Sequence, residues 1–293
     1  MLDEKTLPSP LHLGLTGYPL GHSLSPTLHQ AALEHYGILG DYQLYPVEAQ
    51  AQLGELLQRL RRAELHGLNV TIPHKQAVLT LVDELTPAAS AIGAVNTLIR
   101  RGDRLIGDNT DAPGFWADLE SRWHWERTPA RALILGSGGA ARGMVYALAS
   151  HGWHITIAAA RPEDRQQAHT LAESIAASAP VIEAGAQFNV IMLEAEILKT
   201  IKDIDLVVNT TPLGMHPHVD ACIWPAGVPF PQGCRAYDAV YNPAETRFIR
   251  TAREQGLQAE TGLGMLICQA ALAFERWTGL PAPFDVMRRS VAA

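Results

Sequence analysis

The segment that most restricts the fold is Leu133-Ile-Leu-Gly136-Ser-Gly138-Gly139-Ala140-Ala141, an apolar run that enters a glycine-rich turn and leaves it in a helical pattern. Strand, tight turn and helix in that order open a βαβ unit, whose strands lie parallel because the helix carries the chain back. Gly136, Gly138 and Gly139 allow the sharp turn and the approach of a pyrophosphate to the N–H groups at a helix start. A purely structural turn would use the same glycines, so the loop alone does not decide between the two.

The same alternation runs through the rest of the chain. Apolar runs at 12–17, 42–47 and 68–72 alternate with helical patterns after Ser25, over 49–62 and onward to Glu84. Runs at 94–99 and 104–108 flank Arg100-Arg101-Gly102-Asp103, which predicts a hairpin turn. A helix over 113–123 follows, then a second series of strands at 132–135, 155–159, 205–209 and 236–239. An apolar helix over 265–277 is stopped by Gly279 and Pro281. Residues 1–10 read as a tail, and 178–198 give no clear pattern. This is an α/β chain of mostly parallel strands, and its 293 residues favour two domains.

Composition narrows the partners. Apolar residues at 47% and charged residues at 18% supply an ordinary core, while a net charge of −7 without a Lys/Arg run argues against nucleic acid. Cys222, Cys234 and Cys268 have neither disulfide nor metal-ligand spacing, which fits a reducing compartment. No stretch approaches the roughly 18 apolar residues of a membrane span, and the N-terminus lacks a basic-then-apolar signal. A cytoplasmic protein with a small-molecule partner is expected. His216-Pro-His218 offers two ligands without a third, so no metal is expected.

The strand after the glycine loop tests which dinucleotide is bound. An NAD site usually carries an acidic residue about 20 residues further on, for the ribose hydroxyls. Here the strand ends in Ala160-Arg161, with Arg165 one turn later, and guanidinium groups suit a 2′-phosphate. Glu163 and Asp164 leave open the alternative of two solvated helix-start arginines.

A second group of residues suits a small polar ligand. Ser25 reads as an N-cap, Pro26 as the first helical residue and Gly37 as the stop, and Ser23 adds a hydroxyl where a helix start favours negative charge. Asn69 and Thr71 share one face of an apolar strand, so each needs a local partner or a ligand. Lys75 follows where a helix should begin and by itself reads as a surface group. The hairpin around Gly102 brings Asn96 and Thr97 towards residues 107–111. Asp111 can cap the next helix; beside a lysine it would also hold the ammonium and couple it to proton transfer. Gln269 lies one turn after Met265, alone as an amide in an apolar run, and is either a satisfied core amide or a ligand contact.

Gly17-Tyr-Pro-Leu-Gly-His-Ser23-Leu-Ser25-Pro, Asn69-Val-Thr71-Ile-Pro-His-Lys75, Gly93-Ala-Val-Asn96-Thr-Leu, Gly107-Asp-Asn-Thr-Asp111, Gly136-Ser-Gly-Gly-Ala and Gly262-Leu-Gly-Met-Leu-Ile-Cys-Gln269 together, in this order, resemble the shikimate dehydrogenase family. The resemblance implies an N-terminal α/β substrate domain, a Rossmann-like NADP domain at 113–262, and C-terminal helices that return to the first domain, which then spans 1–112 and 263–293. It implies reduction of 3-dehydroshikimate to shikimate by NADPH, with Lys75 and Asp111 as the catalytic pair. Ser23 and Ser25 would bind the substrate carboxylate, Asn69, Thr71, Asn96, Asp111 and Gln269 the ring hydroxyls, and Tyr241 would approach the substrate. Gly136, Gly138, Gly139 and Ala140 would meet pyrophosphate, and Arg161 and Arg165 the 2′-phosphate. Thr211, Val240, Gly262 and Met265 would line the nicotinamide side. The family's Asn-Arg-Thr is Ala160-Arg161-Pro162 here, and 178–198 run longer than in a typical member. A quinate dehydrogenase, a ligand sensor on the same fold and an NAD-linked dehydrogenase of amino acids or folates are the alternatives. The last would leave the paired serines unexplained, and a sensor would need neither Lys75 nor Asp111. A monomer or a homodimer is expected.

Overall fold

The computed structural model describes residues 7–292, so the first part of the expected tail, residues 1–6, lies outside the described residues. The chain divides into two compact units, one from the described residues up to Thr110 and from Leu266 onward, the other spanning Asp111–Met265.

The first unit opens with β1 (Leu11–Gly17), α1 (Ser25–His35), β2 (Gly40–Pro46), α2 (Leu53–Arg61) and β3 (Gly67–Val70). β4 (Glu84–Leu85), α3 (Pro87–Ile92), β5 (Thr97–Arg101) and β6 (Arg104–Asp108) follow. The sheet order is β2-β1-β3-β5-β6-β4. β1 runs parallel to β2 and β3, while β5 is antiparallel to β3 and β6. Leu53, Leu56, Leu57 and Leu60 recur at helical spacing and bury one stripe of α2 against Leu65, Leu68, Val70 and Leu98.

Three expectations need correction. The strand foreseen over 68–72 ends at Val70, and Ile72 is 48% exposed. Pro73 has no N–H to continue a ladder, and the Ile72 carbonyl turns aside to accept from Tyr18 N at 2.8 Å. The helix foreseen up to Glu84 is a single 3-10 turn, Ala77–Thr80. The Asp83 backbone instead bonds Leu105 O at 2.9 Å and its carboxylate accepts Leu105 N at 2.7 Å, which draws the chain into β4 beside β6. The hairpin is tighter than foreseen: Arg101 pairs with Arg104, leaving Gly102, at φ +66°, and Asp103 as a two-residue loop.

The second unit contains α4 (Asp111–Arg122), β7 (Arg131–Leu135), α5 (Gly139–Ser150), β8 (His154–Ala159) and α6 (Pro162–Ala176). The stretch that resisted reading forms α7 (Ala179–Ala184), β9 (Phe188–Met192) and α8 (Ala195–Thr200). β10 (Leu206–Asn209), β11 (Arg235–Asp238), α9 (Arg247–Glu254) and β12 (Ala259–Thr261) complete it. All six strands are parallel, in the order β12-β11-β10-β7-β8-β9. Progress along the sheet reverses between β7 and β10, and ligands of open α/β sheets bind beyond the strand ends at such a switch point.

α10 (Leu263–Thr278) and α11 (Phe284–Val291) end the chain, and the division between units falls after Met265 in the first turn of α10. α11 packs on α1, and Trp277 of α10 lies so close to Gly67 of β3 that a Cβ there would stand 2.6 Å from its indole. Among the described residues no helix is long and apolar enough to cross a membrane.

Candidate active site

In the first unit the start of α1 differs from expectation. Ser25 is the first helical residue and Leu24 the N-cap, without a side-chain cap bond. Leu24 already has helix-like angles, φ −88° and ψ −3°, so the chain enters the helix one residue before a Ser25 cap could form. The Ser25 hydroxyl is therefore not needed as a cap, and the Ser25 N–H donates to Ser23 Oγ at 3.3 Å. Ser23 is half-buried, Ser25 is buried, and no acidic residue stands in that first turn. This helix start can receive a carboxylate.

One turn on, His29 is fully buried, flat against Tyr42 at a ring separation of 4.4 Å and tilted over Trp277. Burial pushes His29 down to about 3; Asn69 lies near enough to pull weakly the other way without reaching hydrogen-bond geometry. The imidazole is neutral at ordinary pH.

Next to it a polar chain crosses the sheet. Tyr42 donates its hydroxyl proton to Asn69 Oδ1 at 2.7 Å. Asn69 Nδ2 donates to Asn96 O and to Thr97 Oγ1, each at 3.1 Å. The opposite amide orientation would set two carbonyl oxygens against each other, so Asn69 is fixed with its oxygen towards Tyr42. Thr97 passes its proton to Asn96 Oδ1 at 2.9 Å, and Thr110 N donates to the same oxygen at 2.7 Å. Asn96 Nδ2 donates to Thr110 Oγ1 at 2.9 Å and to Gln269 Oε1 at 3.3 Å. Gln269 Nε2 in turn donates to Leu266 O at 2.8 Å. Asn69, Asn96 and Gln269 thus belong to one buried assembly, whereas Thr71 stands half-buried beyond the end of β3 against Gly17.

The same junction anchors the proposed proton donor. Lys75, half-buried in the turn after β3, accepts Val95 N at its carbonyl at 2.8 Å, and the preceding His74 is held by Val47 O at 2.7 Å. Lys75 and Thr110 are therefore tied to the adjacent residues Val95 and Asn96. Asp111, the residue after Thr110, is buried and opens α4 in the second unit.

In the second unit, Gly136 has φ +105°, and a Cβ there would meet Thr211 Cγ2 at 2.9 Å and Thr210 Oγ1 at 3.0 Å. A Cβ at Gly138 would meet open space, so the loop is tight on the protein side and clear on the other. α5 starts at Gly139 and continues through Ala140, with no side-chain cap and no acidic residue in its first turn. Small backbone, an uncapped helix start and absence of negative charge suit a pyrophosphate at the switch point. Arg161 is 66% exposed and holds Asp164 through two bonds of 2.8 Å, with Glu163 at 3.5 Å. Arg165 is exposed one turn later. An exposed ion pair contributes little, so a dianionic phosphate can displace Asp164 from Arg161. The residues present fit a 2′-phosphorylated dinucleotide.

At the ends of β10 and β11, Thr211 bonds Asn209 Oδ1 through its N–H at 2.9 Å and its hydroxyl at 2.7 Å. Asn209 and Val240 in turn meet Asp238, a fully buried carboxyl that burial pushes up to about 7 despite its hydrogen-bond donors. Tyr241 is half-buried on the loop that follows. Met265 is buried in the first turn of α10, where Gly262 N donates to Val240 O at 3.5 Å. Asp118 of α4 accepts from Tyr237 at 2.7 Å and from Arg122 at 2.7 Å, and its carboxylate fills the space that a Cβ on Gly264 would need.

Several of these residues escaped the sequence reading. His29 had a signal, four residues after Ser25 on one helix face. Asn209, Thr210 and Asp238 had one as polar residues closing apolar strands. Tyr42, Thr97 and Thr110 become visible as partners only once the strand register is known.

The uncapped glycine loop at the switch point, together with the amide assembly beside an anchored lysine, defines a nicotinamide-dependent α/β oxidoreductase of small polar substrates. The family model for the shikimate dehydrogenase substrate-binding domain matches residues 15–98, and that for the shikimate 5′-dehydrogenase C-terminal domain matches 262–292. The shikimate dehydrogenase (NADP(+)) of Salinibacter ruber is 43% identical over 281 residues, covering 94% of this chain and 95% of its own. The Thermus thermophilus shikimate 5-dehydrogenase, solved with NADP(H) and shikimate, is 37% identical with a TM-score of 0.81, covering 96% of this chain and 98% of its own. A quinate dehydrogenase from Corynebacterium glutamicum, solved with NAD, is 29% identical with a TM-score of 0.81, covering 97% and 99%. The chain belongs to the shikimate dehydrogenase family.

Proposed function

We propose that this chain reduces 3-dehydroshikimate reversibly to shikimate with NADPH, in the chorismate route to the aromatic amino acids. The observation that carries the reading is the Asn96 junction, which ties the Lys75 carbonyl, through Val95, to the amides of Asn69 and Gln269 and to Thr110. It fixes the backbone of the proposed proton donor next to a set of groups suited to a polyhydroxylated ring. NADPH, when bound, supplies the hydride.

In the proposed division of labour, residues 1–112 and 263–293 hold the substrate and residues 113–262 the nucleotide. Ser23 and Ser25 at the start of α1 hold the substrate carboxylate, while Asn69, Thr71, Asn96, Asp111 and Gln269 hold ring hydroxyls. Lys75 gives its proton to the carbonyl oxygen as that oxygen gains charge, and its ammonium stabilises the developing alkoxide. Asp111 orients Lys75, and Tyr241 approaches the substrate. Gly136, Gly138, Gly139 and Ala140 receive the pyrophosphate, Arg161 and Arg165 the 2′-phosphate, and Thr211, Val240, Gly262 and Met265 the nicotinamide end. The protein acts in the cytoplasm as a monomer or homodimer.

The test follows NADPH and NADH absorbance with 3-dehydroshikimate, and the reverse reaction with shikimate and quinate, in parallel. Turnover of 3-dehydroshikimate with NADPH well above every other pairing is expected. A preference for quinate, or no turnover with any of them, overturns the reading.

A further inference from the structure

Two neighbouring parallel strands of the second unit, β10 and β11, both end in a polar residue at full burial, Asn209 and Asp238, each at 0% exposure. A carboxylate in such a place needs donors on every side, and here all the donors are uncharged. Asp238 Oδ1 accepts from Asn209 Nδ2 at 2.9 Å and from Val240 N at 3.0 Å, and Oδ2 accepts from Thr246 Oγ1 at 2.5 Å.

Each donor leads to a different segment of the nucleotide site. Asn209 turns its oxygen to Thr211, whose methyl faces Gly136 so closely that a Cβ there would lie 2.9 Å from it. Val240, held by its N–H, offers its carbonyl to Gly262 N at 3.5 Å. Thr246 also caps α9 by accepting Ile249 N at 3.2 Å, which fixes the far end of the loop carrying Tyr241. One carboxylate therefore sets the loops after β10 and β11 and, through them, the glycine turns at Gly136 and Gly262. Arg161 and Arg165 lie after β8, on the other side of β7, and make no hydrogen bond to this group.

We propose that Asp238 is a positioning residue for the nicotinamide end of the cofactor site: through Asn209 and Val240 it sets Thr211 and the Gly262 turn for the bound nucleotide, while leaving the adenine-phosphate end untouched. This rests on the NADPH reading above. Groups that hold contact residues in place act through the geometry they enforce, so their loss appears in binding of the whole ligand and not of the part they do not reach.

The test compares NADPH with adenosine 2′,5′-bisphosphate, which carries the 2′-phosphate and lacks the nicotinamide, by quenching of tryptophan emission in the full chain. Asp238→Asn removes one of the two acceptor oxygens and should weaken NADPH about tenfold, with the bisphosphate within about twofold of wild type. Thr246→Val should weaken NADPH about threefold, and Thr246→Ser, which keeps the hydroxyl, should restore wild-type affinity. Should Asp238→Asn fail to fold, the Val and Ser pair at position 246 decides. Equal weakening of both nucleotides would show a loosened unit and overturn the proposal, as would unchanged NADPH binding in Asp238→Asn and Thr246→Val. Wild-type protein that binds neither nucleotide overturns the cofactor reading itself.

Discussion

Replacing His29 by leucine should tilt the pH dependence of stability in a calculable direction. His29 is buried without a hydrogen bond on either ring nitrogen, and its folded-state value is about 3 against 6.5 for an exposed imidazole. The unfolded chain therefore takes up a proton below pH 6.5 that the folded chain refuses, and stability is lost as pH falls from 6.5 towards 3. Each pH unit in that window corresponds to about 1.4 kcal/mol, so the step from pH 6.5 to 4.5 costs about 2.5 kcal/mol at this one residue. For a unit of this size that is a melting shift of roughly 5–10 °C. Asp238 works in the opposite sense, because its raised value of about 7 adds stability that is lost as pH climbs from 3.8 through 7. Asp238 is present in both proteins, so subtracting the two melting curves cancels its slope. The assay is the melting midpoint of wild type and His29→Leu at half-unit steps from pH 7.5 to 4.5. The wild type should lose ground against the variant by the stated amount, and a gap that stays constant across this range would refute the argument.

Three further outcomes are expected. Lys75→Ala should lower turnover by a factor on the order of 10²–10⁴ while shikimate affinity, read by quenching, changes little, and unchanged steady-state turnover would remove Lys75 from the chemistry. Arg161→Ala should raise the KM for NADPH far more than that for NADH, and equal effects on both would refute the phosphate clamp. Gly264→Ala should destabilise the second unit by roughly 1–3 kcal/mol, because the new methyl meets the Asp118 carboxylate that Tyr237 and Arg122 hold in place. A melting midpoint unchanged in that variant would mean that Asp118 moves freely.

Much of this arrangement was legible in the residues, and the parts that were not have physical reasons. The parallel strands at 132–135, 155–159, 205–209 and 236–239 were marked by apolar runs ending in turn residues, because strands buried on both faces carry an uninterrupted signal. Residues 178–198 carry a short edge strand between two short helices, too brief for either period to accumulate. The helix foreseen after Lys75 failed for a tertiary reason: Asp83 is held by Leu105 and Arg61, and no local pattern reveals that pull. Ser25 was misplaced by one residue, the ordinary uncertainty of a helix end, yet that residue changes what its hydroxyl is available for. Asn69 and Gln269 left a choice between a core amide and a ligand contact, because partners such as Thr97 and Leu266 depend on register and not on the residues themselves.

The orientation of the Asn69 amide carries one more consequence. Both its protons are committed to Asn96 O and Thr97 Oγ1, so what it can still extend is a lone pair on Oδ1. An oxygen resting against it must bring its own hydrogen. If the ring meets Asn69 as proposed, an alcohol can do so and a ketone cannot, so this position would reject the oxidised carbon of 3-dehydroshikimate and admit its neighbours. The amide would then act as a key for the rotation of the ring in its seat, fixing which carbon can stand at the place of reaction before any hydride moves.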